Sequence, residues 1–183
     1  MVQKIIQSGN PILRNVSKPV TKIDKKILNL IQDLRDTLAV QKDPEGVGLA
    51  APQIGVNLRV FAIDFKNLKR IVINPEILII NNQPHSAKSS RGKKSEILEG
   101  CLSLPHYYGP LKREAFVKLQ YQTLSTVDDS PITVVEEFKD FNAQIVLHEI
   151  DHLNGFLFVD RLLEQKKKLY KLDADDTWEE VEL

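Results

Sequence analysis

The pentapeptide His148-Glu149-Ile150-Asp151-His152 carries more structural information than any other part of the chain. On an α-helix, residues at positions i and i+4 lie on one face, so the two imidazoles can bind a single metal ion. A Glu beside the first His can take the proton of an attacking water. The chain has only four His residues, and two of them at this spacing indicate a metal site. The alternative is a surface helix with incidental His and acidic residues.

Apolar residues surround the pentapeptide on nearly all sides, which is typical of a core helix rather than a surface helix. They are Phe141, Ile145, Val146, Leu147, Ile150 and Leu153. Asn142 is a candidate N-cap, and Asn154-Gly155 is a candidate stop signal. The sequence therefore predicts a buried helix, in which imidazoles without partners would cost stability.

Length and composition exclude several classes of protein. A chain of 183 residues is long enough for one domain with a sizeable core. Its 25 basic and 25 acidic residues balance, so we expect no DNA partner. No apolar run approaches the roughly 18 residues of a membrane span, and the N-terminus lacks signal-peptide anatomy, so we expect no membrane partner. The single Cys cannot form an internal disulfide, which fits a reducing cytosol.

Periodicity outlines the remaining elements. Apolar spacing predicts a helix from about Asp24 to Val40, with Asp24 as its cap. The strand-like runs are Leu58 to Ile63, Arg70 to Ile73, Ile77 to Ile80, Ala115 to Gln122 and Ile132 to Phe138. The polar stretch from Asn81 to Ser95 predicts an exposed loop or hairpin tip.

The C-terminal part predicts a helix from about Arg161 to Leu172. The last eleven residues, Asp173 to Leu183, contain six acids and no base, and we expect them to fray or lie on the surface. We accordingly divide the chain into one catalytic domain, residues 1–165, and a helix end with an acidic tail, residues 166–183.

Two His residues leave a metal ion short of ligands, and Cys101, the only thiol, is the obvious third. A thiolate with two imidazoles is a known catalytic ligand set that leaves one position open. The alternative for a lone Cys is a small buried hydrophobe. A zinc peptidase would take its third ligand downstream, where no His follows His152. The acidic residues that remain possible there are Glu164, Glu179, Glu180 and Glu182.

Three segments, in this order, closely resemble the peptide deformylase family. They are Gly46-Val47-Gly48-Leu49-Ala50-Ala51-Pro52-Gln53, Glu99-Gly100-Cys101-Leu102-Ser103 and His148-Glu149-Ile150-Asp151-His152. Each motif alone is moderately specific, whereas the ordered set is highly specific. The resemblance covers roughly residues 1 to 165.

The resemblance implies an α+β fold in which antiparallel β-sheets pack around a central metal-binding helix, with N-terminal and C-terminal helices. It implies hydrolysis of the N-formyl group from the initiator methionine of nascent polypeptides, with release of formate. One divalent ion, commonly Fe²⁺, with Zn²⁺, Ni²⁺ or Co²⁺ as substitutes, would be the cofactor. Cys101, His148 and His152 match the family's metal ligands, and Glu149 matches its acid/base.

Two further residues match the groups that stabilise an oxyanion in the family: the Gln53 side chain and the Leu102 backbone N–H. The expected slot for the methionine side chain and main chain is formed by Val47, Gly48, Ile97, Phe141 and Ile145. Ordinary core packing is the alternative for these aliphatic and aromatic residues. The resemblance also suggests an ion pair between Arg113 and Asp151 that orients the metal-binding helix.

The chain departs from the family pattern at several positions. Leu147 replaces the usual Gln before the first His, and Gln144 is expected to point away from the methionine slot or to narrow it. Tyr108 stands where some members have an Arg. The lysines of the predicted C-terminal helix suggest a contact with the ribosome near its exit tunnel, and a solvated helix face is the alternative. These lysines are Lys166, Lys167, Lys168 and Lys171.

Two other functions stay open at this point. One is a metallopeptidase or another metal amidohydrolase, against which the missing downstream ligand counts. The other is a non-catalytic descendant with a structural metal, which would need neither Glu149 nor Gln53. The short N-terminus predicts a cytoplasmic bacterial protein or a processed organellar form.

Overall fold

Two antiparallel sheets and three α-helices make up the part of the chain that the computed structural model describes, residues 1–81 and 98–182. The helices are α1 (Lys25–Ala39), α2 (Phe141–Leu153) and α3 (Phe158–Glu164). The strands are β1 (Gly48–Ala50), β2 (Val60–Phe65), β3 (Leu68–Asn81), β4 (Leu98–Cys101), β5 (Leu104–Pro110), β6 (Phe116–Leu124), β7 (Pro131–Lys139), β8 (Leu169–Leu172) and β9 (Trp178–Val181). The predicted α+β class is confirmed.

The larger sheet has the strand order β1-β2-β3-β6-β7, and the smaller one has the order β4-β5-β8-β9. Helix α2 lies in the core formed with the larger sheet, where it packs against Phe61, Val72, Val117 and Leu119. Every residue of α2 from Ala143 to Leu153 is buried, as the apolar flanks of the pentapeptide predicted. The central position of this helix places its polar residues at the boundary with the smaller sheet.

Helix α1 begins directly after Asp24, the residue predicted as its N-cap. The Asp24 carboxylate accepts hydrogen bonds from the backbone N–H groups of Lys26 (2.9 Å) and Ile27 (3.2 Å), which satisfies two donors of the first turn. Its apolar face covers β2 and β3. The residues of that face are Ile27, Leu30, Ile31, Leu34 and Leu38.

Helix α2 ends at Leu153 with Asn154 as its C-cap, and Gly155 follows with a positive φ of 78°. A Cβ at position 155 would lie 2.5 Å from the Arg14 carbonyl oxygen, so this turn requires glycine. The predicted stop signal is therefore confirmed. The predicted N-cap, Asn142, is wrong, because the helix begins at Phe141 and Asp140 occupies the cap position.

Strand β3 joins two runs that the sequence separates. Its pairing with β6 shifts register between Ile73 and Glu76, around Asn74, which has a φ of 51°. The Asn74 side chain accepts a hydrogen bond from the Val20 backbone N–H and donates one to the Val20 carbonyl, both at 2.8 Å. These hydrogen bonds of Asn74 to a neighbouring segment stabilise the irregularity. Strand β3 therefore continues through the position of this polar residue.

The predicted helix from Arg161 to Leu172 is wrong beyond Glu164. Helix α3 ends there, and Lys166 has a φ of 53°. The chain then continues into β8, whose backbone pairs with β5, so strand pairing takes the place of further helix. The acidic end lies on the surface, as predicted, but its residues Trp178–Val181 are paired with β8.

The predicted loop from Asn81 to Ser95 lies outside the described residues apart from Asn81, the last residue of β3. Ile97 also lies outside them. No described helix combines the length and the apolar character that crossing a membrane requires.

Candidate metal centre

Three side chains converge where α2 meets the end of β4. Helical spacing places His148 and His152 on one face, with ring centroids 4.8 Å apart. Strand β4 ends at Cys101, whose Sγ lies 3.2 Å from His152 Nε2. One potential ligand atom from each of the three residues lies within 4.8 Å of the others. Within residues 1–81 and 98–182 this is the one such cluster of three or more His, Cys, Asp or Glu side chains.

The donor set fits a divalent ion. A thiolate and two imidazoles are the ligand types that zinc, iron, cobalt and nickel accept. Burial lowers the pKa of His152 well below its ordinary value, which favours the neutral imidazole that metal binding requires. The Nδ1 atom of His152 has no hydrogen-bond partner among the described residues. The alternative ligand Glu164 lies outside this cluster and pairs with Arg161 at 2.9 Å.

Glu149 lies on the same helix, next to His148, and its carboxylate is buried. Burial raises the pKa of Glu149 to about 7. Its Oε2 atom has no hydrogen-bond partner within the described parts of the chain. Backbone of β1 passes directly over it, since a Cβ at Gly48 would lie 2.9 Å from Glu149 Cδ. The carboxylate thus faces the cleft with one oxygen available.

The Gln53 side chain is held in one orientation. It lies in a short 3₁₀ helix, Ala51–Ile54, that follows β1. Its Oε1 accepts a hydrogen bond from the Ala50 backbone N–H at 2.8 Å, and its Nε2 donates to Ser103 Oγ at 3.1 Å. The Nε2 atom also lies 3.5 Å from Cys101 Sγ. The amide nitrogen is therefore turned towards the cluster, and Leu102, directly after Cys101, lines the same cleft.

Glu99 is a buried residue beside this cluster for which the sequence predicted no role. Its Oε1 lies 2.7 Å from His148 Nδ1, which turns the Nε2 side of that imidazole away from Glu99. Arg113 donates to both carboxylate oxygens at 2.6 and 2.9 Å, and Gln144 Nε2 donates to Oε2 at 3.1 Å. Burial opposes ionisation, but the bonds from Arg113 and His148 hold the pKa of Glu99 far below its ordinary value.

Strand alternation does not identify Glu99, although it lies two positions before Cys101. The pairing of β4 with β5 is irregular between Gly100 and Cys101, so the regular alternation of side chains is interrupted there. Gln144 could not be assigned from local sequence either, because its partner comes from a distant strand.

The ion pair expected between Arg113 and Asp151 is present. Arg113 Nη1 lies 2.6 Å from Asp151 Oδ2, and both side chains are less than a tenth exposed. Arg161, from α3, adds bonds to Asp151 of 2.6 and 3.1 Å. Two arginines from different segments thus hold the helix residue that precedes the second His.

A cleft of about 290 Å³ opens onto the cluster. Four of the five residues predicted for substrate binding line it, namely Val47, Gly48, Phe141 and Ile145. The fifth, Ile97, lies outside the described residues. Val47, Phe141 and Ile145 also pack in the core around α2, so these residues both line the cleft and belong to the hydrophobic core. Gln144 lines the cleft, whereas Leu147 packs in the core.

Comparison with known proteins gives a consistent result. The family model described as polypeptide deformylase matches residues 2–168. A peptide deformylase of Pseudothermotoga lettingae is 39% identical over 160 residues, covering 87% of this chain and 82% of the relative. Peptide deformylase 1 of Clostridium acetobutylicum is 38% identical over 165 residues, covering 90% and 97%.

Solved structures agree with the sequence relatives. The crystal structure of a peptide deformylase from Thermotoga maritima has a TM-score of 0.71 and 37% identity, covering 88% of this chain and 97% of that one. The metallopeptidase alternative is thereby set aside. The chain belongs to the polypeptide deformylase family, the metal-dependent hydrolases that remove the N-formyl group from nascent chains.

Proposed function

We propose that Cys101, His148 and His152 hold the single divalent ion of the family, with Fe²⁺ as the bound metal and Zn²⁺, Ni²⁺ or Co²⁺ as substitutes. The observation that carries this proposal is the convergence of three donor atoms within 4.8 Å beside a buried carboxylate with a free oxygen among the described residues. A bound ion of this kind supplies Lewis acidity and lowers the pKa of water at the site. The choice of iron rests on the resemblance, since softness and geometry suit several metals.

Glu149 is the proton carrier in this proposal. Its Oε2 takes a proton from the attacking water and delivers it to the amine of methionine as the formamide C–N bond breaks. The position next to His148 and the lack of a partner for Oε2 within residues 1–81 and 98–182 support this role. Burial keeps competing bulk water away from the carboxylate.

Gln53 and Leu102 stabilise the oxyanion of the tetrahedral intermediate. The bonds of the Gln53 side chain to Ala50 and Ser103 direct its amide nitrogen towards Cys101, which supports this role. The Leu102 backbone N–H is the second donor. Loss of one such donor typically costs about 2.7–4 kcal/mol of transition-state stabilisation.

The methionine side chain occupies the apolar part of the cleft in this proposal. Val47, Phe141 and Ile145 line that part, and the position of Ile97 in the sequence next to β4 adds it to the set. The absence of a side chain at Gly48 leaves room for the Glu149 carboxylate, and the substrate main chain lies along this part of β1 in the proposal. We assign catalysis to residues 1–165, in a protein that acts in the bacterial cytoplasm.

Formate release tests the assignment. Purified protein loaded with Fe²⁺ or Ni²⁺ is expected to release formate from a formyl-methionyl peptide, and Glu149→Ala is expected to abolish release while the metal stays bound. Metal content measured on both proteins is the control. The absence of formate release with every metal would overturn the proposal.

A contact with the ribosome is the second part of the proposal, supported only by basic charge near α3. Lys166 and Lys167 follow the end of that helix, Lys168 lies 2.7 Å from Glu180, and Lys171 lies 2.7 Å from Asp173. Because α3 ends at Glu164, the contact would use the segment after the helix rather than a helix face.

Co-sedimentation with ribosomes tests this contact. Binding is expected to fall with increasing salt and to be lost when Lys166 and Lys167 are both replaced by Glu. The matched control replaces two adjacent exposed lysines of α1, Lys25 and Lys26, by Glu. Equal binding by both double variants would reject the contact.

A further inference from the structure

The C-terminal hairpin lies beyond the segment that matches the family, which ends at residue 168. Its first strand, β8, nevertheless extends the smaller sheet, with Tyr170 opposite Tyr108 of β5. Its second strand, β9, places Trp178 opposite Leu172. The hairpin is therefore joined to the strand that forms one wall of the cleft.

Tyr108 is the residue through which the hairpin reaches the cleft. Its ring lies on Gly100, where a Cβ would be 2.7 Å from two ring carbons. Gly100 directly precedes Cys101 in β4, and Tyr108 lines the same cleft as Cys101. The same ring contacts Trp178 edge to face, with centroids 5.6 Å apart and an interplanar angle of 72°. An aromatic pair in this geometry favours one ring orientation over free rotation.

Tyr108 belongs to the mouth of the cleft rather than to the reacting end. It lines the cleft together with His106 on the same strand. His106 Nδ1 lies 4.0 Å from Asp43 Oδ1, so β5 and the segment before Gly46 flank the mouth from two sides. Burial and the nearby Asp43 carboxylate raise the pKa of Tyr108, which keeps its hydroxyl neutral. Glu149 and Gln53, in contrast, lie at the inner end.

We propose that Trp178 is a positioning residue, which holds the Tyr108 ring against Gly100 so that this ring contacts the residue that follows formyl-methionine in a bound peptide. The inference rests on the proposed function in one respect, the entry of the peptide with its formyl end towards Glu149. The hairpin then contributes to affinity for the downstream part of the peptide, while the inner end performs the same chemistry on every substrate.

Two substrates separate these contributions: formyl-Met-Ala-Ser, which reaches Tyr108, and formyl-methionine, which does not. Trp178→Ala is expected to raise KM for the tripeptide about two- to tenfold, the range that one aromatic pair carries, with kcat unchanged. Both constants for formyl-methionine are expected to stay the same. Trp178→Phe restores the ring contact and the KM, and Asp175→Ala, an exposed change in the same hairpin, is the control.

The chain contains a single tryptophan, so intrinsic fluorescence reports on Trp178 directly. Titration with the unformylated peptide Met-Ala-Ser is expected to produce a saturable change in emission, which Tyr108→Ala removes. This measurement does not depend on turnover.

The outcomes distinguish the two proposals. If Trp178→Ala loses activity equally on both substrates, the substitution has affected only the stability of the protein. If the KM for the tripeptide is unchanged, Tyr108 does not depend on Trp178 for its position. Either result overturns the positioning role. Emission that does not respond to the peptide overturns it as well. Failure of the proposed function appears instead as no formate from either substrate with the unaltered protein.

Discussion

At the level of single residues, the spacing between β1 and the Glu149 carboxylate controls the site. Gly48 is the point of closest approach, since a Cβ there would overlap that carboxylate. A carboxylate that must move a proton requires a defined position relative to the bond that breaks. The absence of one methyl group at position 48 is therefore a condition for the proposed chemistry.

The substitution Gly48→Ala tests this condition. The added methyl displaces the Glu149 side chain, and a displacement of about 1 Å can reduce the rate about a hundredfold. We expect kcat/KM for formyl-Met-Ala-Ser to fall by that order, while the metal content stays equal to that of the unaltered protein, because no proposed ligand touches position 48. An alanine variant with full activity would show that the carboxylate tolerates displacement.

The same scale shows what the sequence can reveal about the site. The two His residues were predictable because helical geometry relates positions four apart without reference to the rest of the fold. Cys101 was predicted as the third ligand because it is the only thiol and lies in the second of the three family motifs. The role of Glu99 was missed because its partners His148 and Arg113 come from other elements, and only the folded chain brings them within 3 Å of it.

At the level of elements, the orientation of α2 depends on charged groups from its neighbours. Arg113 reaches Glu99 and Asp151 at once, so it connects β4 to α2. Its guanidinium is buried, and its pKa lies above the ordinary value despite the opposing effect of burial, because Glu99 and Asp151 bind it. Removing Arg113 leaves the buried Glu99 carboxylate without its guanidinium partner and reduces the partners of Asp151 to those from Arg161.

Arg113→Ala is therefore expected to lower both the melting temperature and the retention of metal, with a loss of about 3–5 kcal/mol in the free energy of unfolding. Thermal denaturation and metal analysis after dialysis measure the two effects. Arg70→Ala is the matched control, because Arg70 pairs with Glu136 at 2.7 Å within the larger sheet. We expect it to reduce stability without loss of metal. Unchanged metal content and melting temperature in Arg113→Ala would remove the proposed role.

Elements also differ in how far local sequence determines them. Helix α1 matched its prediction closely, since its cap and its apolar face are both local signals. The segment after Glu164 did not, because β8 depends on pairing with β5, about sixty residues earlier in the chain. Local helical propensity predicted a helix here, but pairing with the edge of a distant strand determined the structure.

At the scale of the whole molecule, one polar cluster ties together three strands of the larger sheet. Arg70 of β3 binds Glu136 of β7, and the Tyr121 hydroxyl, from β6 between them, donates to Glu136 Oε2 at 2.6 Å. Burial opposes ionisation of Glu136, but these two partners lower its pKa below the ordinary value of 4.5. The cluster crosses the sheet on which α2 packs, so it affects the stability of the entire core.

Glu136→Gln is expected to make this stabilisation visible as a pH dependence. Because the pKa of Glu136 is lower in the folded state than in the unfolded state, its contribution is fully present above the unfolded value and is lost as the pH falls through the folded value. The variant should therefore be less stable than the unaltered protein at neutral pH, by about 1 kcal/mol for a partly exposed charged hydrogen bond. The free energies of unfolding of the two proteins should converge in acid, as measured by urea denaturation at several pH values.

Glu137→Gln, on the same strand and more exposed, is the control, and its free energy of unfolding should differ little from that of the unaltered protein at any pH. A gap between Glu136→Gln and the unaltered protein that persists undiminished in acid would mean that shape, rather than charge, accounts for the effect of Glu136.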